Sequence, residues 1–149
     1  MRCYGLPLFF FLLVLIAAIT LACGSPMSHV SPNCSSAQTG PNTSGILQSV
    51  TLCPVTADAQ KYCGEVQFIA AGIYSTTPSP VTPLKAFWGA CFVNSPTDAV
   101  AITSSGLAHC AVGSSGTYTV FASEPTMCNA VTACGGGCQV SGYAQLTCP

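Results

Sequence analysis

Charge is nearly missing from this sequence: three basic and four acidic side chains serve 149 residues, 5% of the chain. No basic stripe can follow a phosphate backbone, so nucleic acid is excluded as a partner. No acidic run is there to act as a solvating tail. Asp58, Glu65, Asp98 and Glu124 lie far apart along the chain and read as isolated solvated charges rather than a calcium site. Histidine is as scarce, with only His29 and His109. A hydrolase needs a nucleophile, a base and an orienting group. His109 adjoins Cys110, and neighbours on a strand point to opposite faces, so these two cannot work as base and nucleophile. The expectation is a non-enzyme with no catalytic residue, no metal and no cofactor. Helical periodicity is also missing: beyond the N-terminal segment no apolar pattern of helical period lasts three turns, which excludes an all-helical fold.

The length leaves room for about one domain with a single core. Despite the few charges and many small residues, half of the side chains are hydrophobic, which marks a folded domain rather than a disordered one. The N-terminus, "MRCYGLPLFFFLLVLIAAITLACGSP", places Arg2 before an apolar run of seventeen residues, Leu6 to Ala22. That is the layout of a secretory signal over residues 1–22. The run is at the lower limit for spanning a bilayer, and no basic stop-transfer cluster follows. The junction "TLAC" resembles a bacterial lipobox, with Thr20 where leucine is usual and Leu21 one place later. The resemblance implies a lipid on Cys23 and a domain anchored to the membrane of the cell envelope. The alternative is ordinary cleavage near Ala22 or Gly24, which leaves Cys23 as a disulfide partner or removes it, and a secreted protein. Residues 23–44, rich in serine, proline, glycine and asparagine, read as a flexible tether. Asn33 and Asn42 open N-x-[ST] triplets, which arise readily by chance in such a segment.

Eleven cysteines are far above ordinary usage and fit export to an oxidising compartment. Cys3 leaves with the signal. With lipid on Cys23 nine cysteines remain, an odd number; without it there are ten, which can all pair. Cys128, Cys134 and Cys138 in "CNAVTACGGGC" lack the C-x-x-C spacing of zinc ribbons and are expected to form a bond among themselves. Cys91 and Cys110, nineteen positions apart, are expected to pair, a closure that contributes about 3 kcal/mol in the chain-entropy model. Cys53 and Cys63 flank "PVTADAQKY" and are expected to close that turn, with Cys148 as a competing partner for either.

From residue 45 to 149 the punctuation is that of an all-β domain. The runs "SVTLC", "EVQFIAAGIYS", "KAFWGACFV", "AVAIT", "GLAHCAV", "GTYTVFAS" and "SGYAQLTC" are seven strands, which suit an immunoglobulin-like β-sandwich. Alternation places Tyr118, Val120 and Ala122 inward with Thr117 and Thr119 outward, and puts Ala144, Leu146 and Cys148 on one face. Phe68, Trp88, Tyr118 and Val120 are the expected core residues. The threonines of "GTYTV" and the serines of "SPTDAVAITSS" offer hydrogen bonds without charge, so binding is expected at strand edges or loop tips.

The order of these segments resembles bacterial Ig-like domains of the invasin and intimin type (group 2), as found on small exported lipoproteins of Acidobacteria-like bacteria. The likeness covers roughly Ile46 to Pro149. It rests on an opening strand that ends at Pro54 and on Phe68, Ala70, Gly72 and Tyr74 in an "F-x-A-x-G-x-Y" strand. Trp88 follows, then Ser104 to Ala108 as an "S-x-G-L-A" turn with one extra serine, then "G-T-Y-T-V-x-A" from Gly116 to Ala122. The cysteines of "CNAVTACGGGC" depart from that pattern. The resemblance implies a sandwich with a structural or adhesive role and a cell-surface protein or carbohydrate as partner.

Overall fold

Alternating β-branched and small residues build ten strands among the described residues. In a computed structural model, Cys34, residues 39–123 and residues 128–149 are described. The expected signal, Cys23, His29, Asn33, most of the expected tether and Glu124 lie outside the described residues. The strands are β1 (Leu47–Cys53), β2 (Thr56–Asp58), β3 (Glu65–Gln67), β4 (Ile69–Tyr74), β5 (Phe87–Phe92), β6 (Ser95–Pro96), β7 (Val100–Ile102), β8 (Leu107–Cys110), β9 (Gly116–Ser123) and β10 (Ser141–Cys148). One short helix, α1 (Ala130–Cys134), precedes β10. They form a five-stranded sheet in the order β2-β10-β9-β5-β6, a three-stranded sheet β3-β8-β7 and a pair β1-β4. Every pairing is antiparallel except β2 with β10. The all-β expectation holds.

Three strands exceed the seven expected. Two are short edge pieces, β2 and β6. The third arises because "EVQFIAAGIYS" divides at Phe68: β3 pairs with β8, and β4 pairs with β1. Phe68 is fully buried, and its N–H donates to the Gly106 carbonyl at 2.9 Å. That bond keeps the backbone satisfied while the chain leaves one sheet for the next.

The core follows the period-2 pattern. On β9, Tyr118, Val120 and Ala122 are buried in the main cluster, while Thr117 is exposed and Thr119 half-buried on the other face. On β10, Ala144, Leu146 and Cys148 are buried and alternate with exposed Tyr143, Gln145 and Thr147. Phe68, Val66 and Leu52 join this cluster, and Trp88 packs against it partly buried. A smaller cluster of Cys91, Phe121, Ala133 and Cys134 occupies the opposite face of the five-stranded sheet. There Gly89 stands opposite Phe121 in the ladder, and a side chain on it would fall on the Phe121 ring.

The chain joins the domain earlier than expected. Thr39 N–H donates to the Thr82 carbonyl at 2.9 Å, and Thr82 N–H returns a bond to the Thr39 hydroxyl at 2.8 Å. Asn42 ties the 75–78 turn to this entry: its Nδ2 donates to the carbonyls of Thr76 (2.6 Å) and Pro78 (3.1 Å), and its Oδ1 accepts from Gly45 N–H (2.6 Å). The amide of this N-x-[ST] triplet is therefore committed to the fold.

The disulfides correct two sequence expectations. Cys91 bonds Cys134, not Cys110, and Cys110 bonds Cys148. Cys91 points to the α1 face of its sheet, while Cys110 sits at the end of β8, in a different sheet, and faces the main core. The two sulfurs look away from each other. Cys53 bonds Cys34, not Cys63, and Cys148 takes neither Cys53 nor Cys63. A bond inside the cysteine triplet does form, between Cys128 and Cys138.

Candidate functional site

His109 is the one histidine among the described residues and the natural candidate for a catalytic base. It lies on β8 with its Nδ1 3.3 Å from Glu65 Oε1, because Glu65 and His109 are paired across the β3-β8 ladder. Both side chains are about half exposed, at 52% and 47%, so solvent screens the contact. Cys110 faces the opposite way and its sulfur is held in a disulfide. Among the described residues no group of three histidine, cysteine, aspartate or glutamate side chains is placed to hold a metal ion, and no helix is long and apolar enough to cross a membrane.

The most developed surface is the outer face of the five-stranded sheet. Part of it is covered by residues 128–138. There Asn129 caps α1, its Oδ1 accepting from Thr132 N–H at 2.9 Å and from the Thr132 hydroxyl at 3.0 Å, a common start for a short helix. The Cys91–Cys134 and Cys128–Cys138 bonds hold this cover against Phe121 and Phe87. Beyond it, Thr117, Thr119, Gln145 and Thr147 of β9 and β10 share the face with no charge among them. Thr117 and Thr147 hydroxyls lie 3.4 Å apart, and Gln145 Nε2 donates to the Thr119 hydroxyl at 3.2 Å.

Beside that cover lies a cleft of about 250 Å³. Asn94, Thr119 and Tyr143 line it together with Gly135, Gly136 and the Cys91–Cys134 bond. Tyr143 is 40% exposed, yet it is fixed at its tip: its hydroxyl donates to the Ala133 carbonyl at 3.0 Å and accepts from the Ser141 hydroxyl at 2.9 Å.

Asn94 reaches the rim through a strained turn. The two-residue link between β5 and β6 has positive φ at both Val93 (46°) and Asn94 (66°), the handedness of a type I′ hairpin. Asparagine tolerates this region, whereas a β-branched residue there is an outlier. Val93 is also 79% exposed, so packing does not repay the strain. Val93→Asn is expected to raise the unfolding free energy by about 1 kcal/mol. Urea melts of the two proteins measure it, and a loss of stability would show that the valine side chain makes a contact that outweighs the strain.

Of the residues singled out in the sequence, Phe68, Tyr118 and Val120 are in the main core, away from this cleft, and Cys91 and Cys134 form its wall. Thr119 was legible as an outward threonine. Asn94 and Tyr143 were not singled out; the "VN" pair before Ser95, a poor turn sequence for valine, was the one local signal. A scan against models of known protein families finds no match, and a search of curated proteins finds none.

Proposed function

We propose that the chain is an exported, non-enzymatic binding module built on an immunoglobulin-like β-sandwich, secreted and held by disulfides rather than by lipid. Three features support the sandwich. The Cys110–Cys148 bond links the β3-β8-β7 sheet to the five-stranded sheet, as an inter-sheet disulfide does in immunoglobulin domains. Tyr118, at the start of β9, donates its hydroxyl to the Ser115 carbonyl at 3.1 Å, a bond of the tyrosine-corner kind. Trp88 packs against the core from a central strand.

The observation that carries the choice between lipid and no lipid is the state of the cysteines. Cys34, Cys53, Cys91, Cys110, Cys128, Cys134, Cys138 and Cys148 pair among themselves, and Cys63 is disulfide-bonded as well. A ninth bonded cysteine needs a tenth sulfur. By count alone, a mature chain from which Cys3 had been removed with the expected signal would offer Cys23. A sulfur in a disulfide cannot also carry a thioether lipid. This favours the secreted form over a lipid anchor on Cys23, with a cell-surface protein or a carbohydrate as partner.

Intact mass of the exported protein, before and after reduction, tests the reading. The expected result is a chain that retains Cys23, carries no acyl mass, and gains ten hydrogens on reduction, two for each of five bonds. An N-terminal cysteine heavier by acyl chains would restore the membrane-anchored lipoprotein.

A further inference from the structure

We infer that the cleft between Asn94 and Tyr143 is a binding site for a neutral sugar ring. The inference rests on the reading of the chain as a binding module and names the ligand class of its surface.

Size, charge and chemistry each narrow the ligand. At about 250 Å³ the cleft is smaller than the roughly 300–1,000 Å³ of drug-sized pockets, so it takes one ring or the end of a chain. No aspartate, glutamate, lysine, arginine or histidine lines it, and the two cysteines in its wall are bonded to each other. A charged ligand would lose water there and find no counter-charge. The lining joins one half-exposed aromatic ring to an amide and a hydroxyl. A pyranose has the matching parts: an apolar C–H face to lie on Tyr143, and edge hydroxyls that both give and accept hydrogen bonds to Asn94 and Thr119.

The site is held ready before a ligand arrives. Tyr143 is pinned through its hydroxyl to the Ala133 carbonyl, and the Cys91–Cys134 bond fixes the wall, so little ordering entropy is left to lose on binding. Asn94 is placed on the rim by the strained left-handed turn described above, and such strain clusters at ligand sites.

The test uses the full exported chain, isotope-labelled, titrated with glucose, galactose, mannose and N-acetylglucosamine and with their β-linked disaccharides, followed by amide chemical shifts. Glucuronic acid serves as the charged comparison. At least one neutral sugar is expected to shift Thr119, Gly135, Gly136 and Tyr143, and glucuronic acid to shift none of them. Tyr143→Ala should weaken binding about tenfold or more, while Tyr143→Phe, which keeps the ring, stays within about threefold. Asn94→Gly removes the amide but keeps the turn, so it should weaken binding with the fold intact. If no neutral sugar binds at about 10 mM, a concentration that reveals even weak millimolar sites, the inference is overturned. It is equally overturned if sugar binds and both Tyr143→Ala and Asn94→Gly leave it unchanged. Binding to a cell surface that persists in either case keeps the proposed function and removes only the sugar site. Failure to bind any sugar or surface removes both.

Discussion

Gly106→Ala is expected to lower the unfolding free energy by about 3 kcal/mol or more, enough to unfold a marginal small domain. Gly106 turns the chain into β8 with φ +85°, a region that L side chains rarely adopt. Its N–H donates to the Thr103 carbonyl at 3.0 Å, and its own carbonyl receives Phe68 N–H, the bond at the point where β3 gives way to β4. A Cβ here would fall on the Phe68 carbonyl oxygen and on the Trp88 ring. Backbone cannot step aside as a flexible side chain can. The substitution thus combines an unfavourable φ with overpacking at the junction of two sheets. Chemical denaturation measures the loss. A drop below about 1 kcal/mol, an ordinary single-site value, would mean that the 103–106 turn has another conformation open to it.

Replacing Cys110 and Cys148 together by alanine should cost about 4 kcal/mol, against about 2.7 kcal/mol for the Cys128 and Cys138 pair, on the loop-closure model. The first bond spans 38 positions and the second 10, and a longer loop withholds more entropy from the unfolded chain. Cys110 and Cys148 are also buried in the main core, so losing their sulfurs loosens packing as well. The Cys128–Cys138 bond instead staples a partly exposed surface segment. With so few ion pairs available, the bonds carry an unusual share of the stability. If the two double variants melt alike, the core position of Cys110 and Cys148 has no energetic consequence and the ranking is wrong.

The candidate site was only half legible because its parts come from distant stretches. Thr119 could be read as outward from the alternation in "GTYTVFAS", a local rule. Tyr143 could be read the same way in "SGYAQLTC". That the two residues share a cleft with Asn94 depends on β10 and β5 flanking β9, and no residue of the sequence states its lateral neighbours. The His109–Glu65 contact is of the same kind: it follows from β3-β8 register, not from any spacing between the two.

The amino-acid order alone decided the secondary-structure class, the places of the longer strands and the inward sets of β9 and β10, because alternation of side chains across a strand is a property of each strand by itself. It also carried the expectation that the cysteines would be bonded, since so many of them fit an oxidising compartment. Their partners were decided by the tertiary structure. A disulfide needs two Cα atoms about 5.5 Å apart with side chains that converge, and nineteen positions of sequence separation cannot supply that. Cys91 and Cys134 meet at 5.5 Å on one face of the five-stranded sheet, and Cys110 and Cys148 at 5.9 Å across the main core. Which face each sulfur occupies is local; which other sulfur waits there is set by sheet order and by where α1 returns to the sheet.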